Sequence, residues 1–102
     1  MVIREISGRR FEWDENKAAI NLKKHKVRFE SAAKVFQDEN KMTQRDEKHS
    51  IEEDRWITIG KVRGVLVVVH TQREENIRII TARKANKAEE AKYYGNRALF
   101  SS

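Results

Sequence analysis

The chain has no cysteine, no proline and only four glycines among its 102 residues. Without cysteine, disulfides and thiolate metal sites are excluded. His25, His49 and His70 are far apart and form no HxH or HExxH pair, so no metal is expected. A glycine-rich phosphate loop and a serine-nucleophile motif are also missing, and no cofactor is expected. No apolar run is long enough to span a bilayer. The opening residues, MVIREISGRR, lack the apolar segment of a secretory signal, so a cytoplasmic protein is expected. There is no repeat, no low-complexity tract and no linker. One domain over residues 1–102 is expected, with 1–9 as a short strand or an extension and 97–102 as a flexible tail.

Charge is abundant. Lysine and arginine total 22 against 16 acidic residues, giving a net charge of +6. This favours a polyanionic partner, either nucleic acid or an acidic protein, over a merely solvated basic surface.

The pattern of elements predicts an α+β protein. FEWD alternates apolar and acidic residues, a weak strand signal over Phe11 to Trp13. Asp14 is a good N-cap, and Ala18, Leu22 and His25 form a stripe, which predicts a helix from Glu15 to His25. Phe29, Ala32, Ala33 and Phe36 share the face of a second short helix. Residues 37–54 read as a polar loop with a strand around Met42 and Thr43. RWITIG, GVLVVVHTQR and NIRIITARK predict three strands, with REEN as a hairpin turn between the last two. A final helix is expected from Asn86 to Asn96, with one of Tyr93 and Tyr94 inward. The sum is a small, mainly antiparallel sheet with two N-terminal helices and one C-terminal helix.

Strand alternation suggests where chemistry sits. If Ile57, Ile59, Val65, Val67, Val69, Ile77 and Ile79 face the helices, the other face carries Trp56, Thr58, His70, Arg78 and Lys84. Arg83 closes the strand. Each of these residues also has a structural reading. His70 is equally a satisfied residue at a strand end, Arg78 a partner of Glu74 or Glu75, and Arg83 an anchor of the helix start at Asn86. Trp13 and Trp56 are more often packing residues than base-stacking ones.

WDENKAAINLKKH, WITIG, VLVVVHT and IRIITARKANKAEEAKYY, in this order and spacing, resemble the BrnT toxin family from about Phe11 to Tyr94. The resemblance implies a RelE-like fold and ribonuclease activity as the toxin of a type II toxin–antitoxin pair. It also implies a ribbon-helix-helix antitoxin (BrnA-like) and operator DNA bound through the complex. With no plausible metal-ligand cluster in the sequence, metal-independent cleavage by 2′-hydroxyl attack is expected. Arg83 matches the arginine of the family's SAR segment, with Thr81 in place of the serine. Tyr94 matches the aromatic near the end of the last helix. Lys26 stands where the family usually has glycine, and Arg28 where serine or aspartate is common. These departures concern helix boundaries rather than the expected site. The candidate catalytic residues are then Arg83 and Arg78 for phosphate, His70 for acid–base chemistry, and Tyr94 as acid or stacking group. Lys84, Arg55, Trp56 and Lys24 are the candidate RNA contacts. The competing reading is a non-catalytic basic module that binds nucleic acid or an acidic protein.

Overall fold

Residues 1–9 form part of the sheet rather than an extension. β1 (Val2–Ile6) pairs antiparallel along the whole of β2 (Arg9–Trp13), from Val2↔Trp13 to Ile6↔Arg9. Ser7 and Gly8 join them at φ 53° and φ 80°. Positive φ at both central residues is what a two-residue hairpin with the native strand twist requires, and glycine adopts it without strain. This computed structural model describes the backbone of residues 1–101 and the side chains of residues 1–95. The tail expected at 97–102 falls outside the described side chains.

Helix α1 (Glu15–His25) has the expected bounds because its start is capped. Asp14 Oδ1 accepts from the backbone N–H of Asn16 at 2.8 Å and of Lys17 at 3.1 Å. Such a cap contributes about 1 kcal/mol. The second helix is shorter than expected. α2 (Phe29–Ala33) runs straight into a 3-10 turn at Lys34–Gln37, so α1, α2 and the turn form one N-terminal helical region. After β3 (Met42–Arg45) come β4 (Trp56–Lys61), β5 (Val65–Arg73) and β6 (Asn76–Lys84), and α3 (Lys87–Ser101) closes the chain.

The sheet has six strands in the order β1-β2-β6-β5-β4-β3. It is mixed rather than simply antiparallel, because β2 runs parallel to β6. That contact is short: Phe11↔Ile77 and Glu12↔Arg78. Beyond Arg78 the outer edge of β6 has no neighbouring strand, and a side chain takes over. Asn21 of α1 donates from Nδ2 to Ala82 O at 2.8 Å and accepts Ala82 N–H at 3.1 Å through Oδ1. The same amide donates to Val27 O at 3.0 Å, which fixes the turn after α1. Asn21 is buried, so losing it strands polar groups away from water.

Both faces of the sheet are covered. Phe11, Leu66, Val68, Ile79 and Ala82 pack beneath α1 and α2, while Ile59, Val65 and Val67 pack with Tyr93 of α3. The expected division of faces is therefore corrected. Ile57, Ile59, Val65, Val67 and Val69 do share a side, but Ile77 and Ile79 lie on the opposite one. The cause is an irregularity between Val69 and His70: Val69 pairs with Thr81 and His70 with Ile79, leaving Ile80 as an inserted residue. One extra residue inverts the alternation on either side of it.

Candidate functional site

A cleft of about 610 Å³ opens between the α1–α2 junction, the β4–β5 turn and α3. Lys26, Arg28, Lys34, Arg63 and Lys84 line it, together with Tyr94. Glu90 is the one carboxylate residue in this lining. Its apolar surface comes from Leu22, Val27, Val65 and Leu66. A concave surface whose lining is predominantly cationic, with an apolar floor, focuses the field and concentrates anions. Tyr94 is exposed, with Lys61 Nζ 5.5 Å from its ring centroid.

Next to Lys84 in β6, Arg83 forms an end-on fork with Glu89, at 2.7 Å from Nη1 and 2.8 Å from Nη2. The carboxylate belongs to a capping box. Glu89 Oε1 accepts the Asn86 N–H at 2.9 Å, and Asn86 Oδ1 accepts the Glu89 N–H at 2.8 Å. Hydrogen bonds from Arg83 hold the Glu89 carboxyl below its usual range. The strand end and the first turn of α3 are thus tied through one guanidinium.

A second tie sets α3 on the sheet. Tyr93 is buried and donates to Asp38 Oδ2 at 2.5 Å. The same oxygen accepts the Lys61 N–H at 2.7 Å. Burial pushes the Asp38 carboxyl up, and the hydrogen bonds from Tyr93 and from the Lys61 and Asn40 backbone outweigh it, leaving it lowered. Tyr94 follows Tyr93 directly, and their rings meet edge to face at 5.2 Å. The expectation of one inward tyrosine resolves to Tyr93 inside and Tyr94 on the cleft.

The candidate residues do not converge on one face. Lys84 and Tyr94 line the cleft, whereas Arg83, opposite Val67 in the ladder, is not part of its lining. Arg78 lies lower on β6 and is committed to the parallel junction. Its Nε donates to Glu12 Oε2 at 2.8 Å, and Asn76 Nδ2 donates to the other oxygen at 3.1 Å. Burial raises the Glu12 carboxyl, but these bonds and the Arg78 charge leave it lowered. The partner of Arg78 is thus Glu12 and neither of the glutamates in the neighbouring turn.

His70 is buried on the α1–α2 side, its ring 4.8 Å from that of Phe36. Its Nε2 is 2.7 Å from Thr58 Oγ1. Burial lowers its pKa to about 4, so it is neutral near pH 7. Trp56 sits opposite His70 in the β4–β5 ladder, half-buried. Arg55 is held by backbone bonds to the loop that precedes it, its N–H donating to Ser50 Oγ at 2.9 Å. Lys24 is exposed on α1 and does not line the cleft.

Lys26, Arg28, Lys34 and Arg63 line the cleft and were not among the expected site residues. Lys26 and Arg28 carried a signal as cations in capping positions. Lys34 and Arg63 carried none, since nothing local distinguishes them from other surface cations. Among the described residues, no three histidine, aspartate or glutamate side chains are grouped to hold a metal ion. Among the same residues, no helix is long and apolar enough to cross a membrane.

Comparison with known proteins agrees with the fold. The chain is similar to the crystal structure of the Brucella abortus ribonuclease toxin BrnT, with a TM-score of 0.58 and 21% identity, over 76% of this chain and 96% of that one. At that identity the likeness speaks for the fold alone. Comparison with curated proteins gives no match. The model of the family described as "Ribonuclease toxin, BrnT, of type II toxin-antitoxin system" matches residues 13–89. That match takes in both N-terminal helices, four of the six strands and the capping box of α3, and on it the chain belongs to the BrnT ribonuclease toxin family.

Proposed function

We propose that this chain is a ribonuclease toxin with a RelE-like fold that cleaves RNA in the cationic cleft without a metal ion. The observation that carries the proposal is the grouping of Lys84 and Tyr94 with four further cations around one concave surface. Arg83 enters as the chain neighbour of Lys84, tied to the start of α3 through Glu89. RNA carries its own nucleophile. Once the 2′-hydroxyl has given its proton to a solvent base and lies in line with the phosphate, O2′ attacks phosphorus and the P–O5′ bond breaks. The products are a 2′,3′-cyclic phosphate and a 5′-hydroxyl, and the leaving oxygen takes up a proton. The protein supplies alignment and positive charge for the pentavalent transition state.

Arginine suits the second task, because its forked donors match phosphate oxygens. The fork to Glu89 fixes the plane of the Arg83 guanidinium and engages two of its five N–H donors. Lys84 adds a mobile point charge. Tyr94 is placed to stack on a base or to protonate the leaving oxygen. His70 and Arg78 hold the fold in this scheme, since one is buried behind Phe36 and the other serves Glu12. A cytoplasmic ribonuclease would damage its own cell unless covered. An antitoxin partner follows from the type II system, and a ribbon-helix-helix (BrnA-like) protein that also binds operator DNA is the form proposed.

The test is to incubate purified protein with single-stranded RNA in excess EDTA and map the ends. Cyclic phosphate and 5′-hydroxyl termini are expected. Activity lost in EDTA and restored by a divalent ion would overturn the mechanism. Binding without cleavage under any condition would favour a non-catalytic module.

A further inference from the structure

The α1–α2 junction breaks two capping preferences within three residues. Lys26 ends α1 at φ 61° and ψ 26°, the left-handed conformation in which glycine is least strained. Arg28 stands at the N-cap of α2 with extended geometry and no side-chain hydrogen bond to the helix. Serine, threonine, aspartate or asparagine would supply that bond. The other two α-helix starts obey the rule, through Asp14 and through the Asn86–Glu89 box. Left-handed Ser7 and Glu74 are different, since each sits in a two-residue hairpin turn outside the cleft.

At the junction both misfits are cations and both line the cleft that holds Lys84 and Tyr94. Arg28 also lines the adjoining groove toward Arg4 of β1, where Glu15 and Glu30 are the acidic neighbours. Places where local rules fail with no packing gain point to function. The stability given up at two caps is matched by positive charge placed on one wall.

We infer that Lys26 and Arg28 form a phosphate-binding wall for the single-stranded RNA that flanks the scissile bond, across the cleft from Lys84 and Tyr94. The inference rests on the proposed ribonuclease reading and adds the course of the flanking backbone. Contacts to phosphate carry no base identity, so these two residues set affinity and salt dependence and leave sequence preference unchanged.

Lys26→Gly and Arg28→Ser each restore the preferred cap. Thermal unfolding of each variant is compared with a titration against single-stranded RNA methylated at its 2′-oxygens, which binds without being cut. Each variant is expected to melt higher, by roughly 4 °C. Each is expected to bind roughly five- to tenfold more weakly, with a log–log salt slope shallower by about 0.7 per lost contact. Lys26→Asn, tolerant of the left-handed conformation but uncharged, should bind as weakly as Lys26→Gly, and Lys26→Arg should bind like wild type. Variants that bind the methylated RNA as tightly as wild type, with the same salt slope, overturn the inference while cleavage by wild type keeps the ribonuclease reading. A wild-type protein that neither binds nor cuts single-stranded RNA removes both.

Discussion

Strand β6 carries two arginines that each meet a carboxylate, and the two pairs do different work. Arg78 and Glu12 are 23% and 10% exposed at their side chains, whereas Arg83 and Glu89 are 42% and 23% exposed. The first pair bridges β6 to β2 where those strands run parallel for two residues, and Asn76 completes it. The second joins the end of β6 to the capping box of α3, beside the cleft residues Lys84 and Glu90 in the chain. One residue type on one strand thus holds a strand junction at one end and, in the proposed function, serves the site at the other. Depth and partner decide which: a buried pair costs most when one member is removed, while an exposed pair contributes little to stability.

The largest expected effect lies at the buried end. Arg78→Ala leaves Glu12 charged in the β2–β6 junction with the Asn76 amide as its remaining side-chain donor. Urea unfolding is expected to show a loss of roughly 3 to 5 kcal/mol. Cleavage per folded molecule should stay near wild type. A stable Arg78→Ala protein with lost cleavage would reverse the assignment of the two pairs.

His70 gives a pH test of the same division between fold and site. Its folded pKa of about 4 lies below the ordinary 6.5. Between those values the unfolded chain takes up a proton that the folded chain refuses, so stability falls as pH drops from 6.5 toward 4. The loss attributable to this group is about 3 kcal/mol at most. Glu12, Asp38 and Glu89, all lowered, add to the decline at the acid end of that range and below. Denaturant titrations at pH 7 and pH 4.5 check the slope. His70→Leu should flatten it above pH 5, and a cleavage pH profile unchanged in that variant would separate His70 from the chemistry.

The smallest effect is expected where α3 is pinned. Tyr93→Phe removes the hydrogen bond to Asp38 and keeps the ring, so about 1 kcal/mol should be lost. If the pin positions Tyr94, KM for RNA should rise more than the stability change alone explains. Unchanged KM would confine Tyr93 to packing.

The comparison also shows which parts of the molecule were legible in its sequence. Helix α1 was readable because Asp14 and the apolar stripe act locally. The two faces of the sheet were not, because the inserted residue at Ile80 reverses alternation and both faces are covered. Arg78 looked available because its true partner is 66 residues away, across a parallel contact no local pattern announces. Lys84, Tyr94 and Arg83 stand out in the sequence because they lie along one strand-to-helix segment, and the fold brings Lys84 and Tyr94 to the cleft. Lys26 and Arg28 are visible in the sequence as departures from capping rules that bear on helix boundaries, and only the fold shows that both line the cleft.

The most direct measurement is made on Arg83→Ala, with RNA cleavage and urea unfolding followed on one preparation. Cleavage is expected to fall roughly 100-fold or more, the scale of a lost transition-state donor. The unfolding free energy should change by no more than about 1 kcal/mol, since the pair is partly solvated. A folded Arg83→Ala protein that cleaves RNA at the wild-type rate would contradict the account, and so would cleavage that declines only in step with the unfolded fraction.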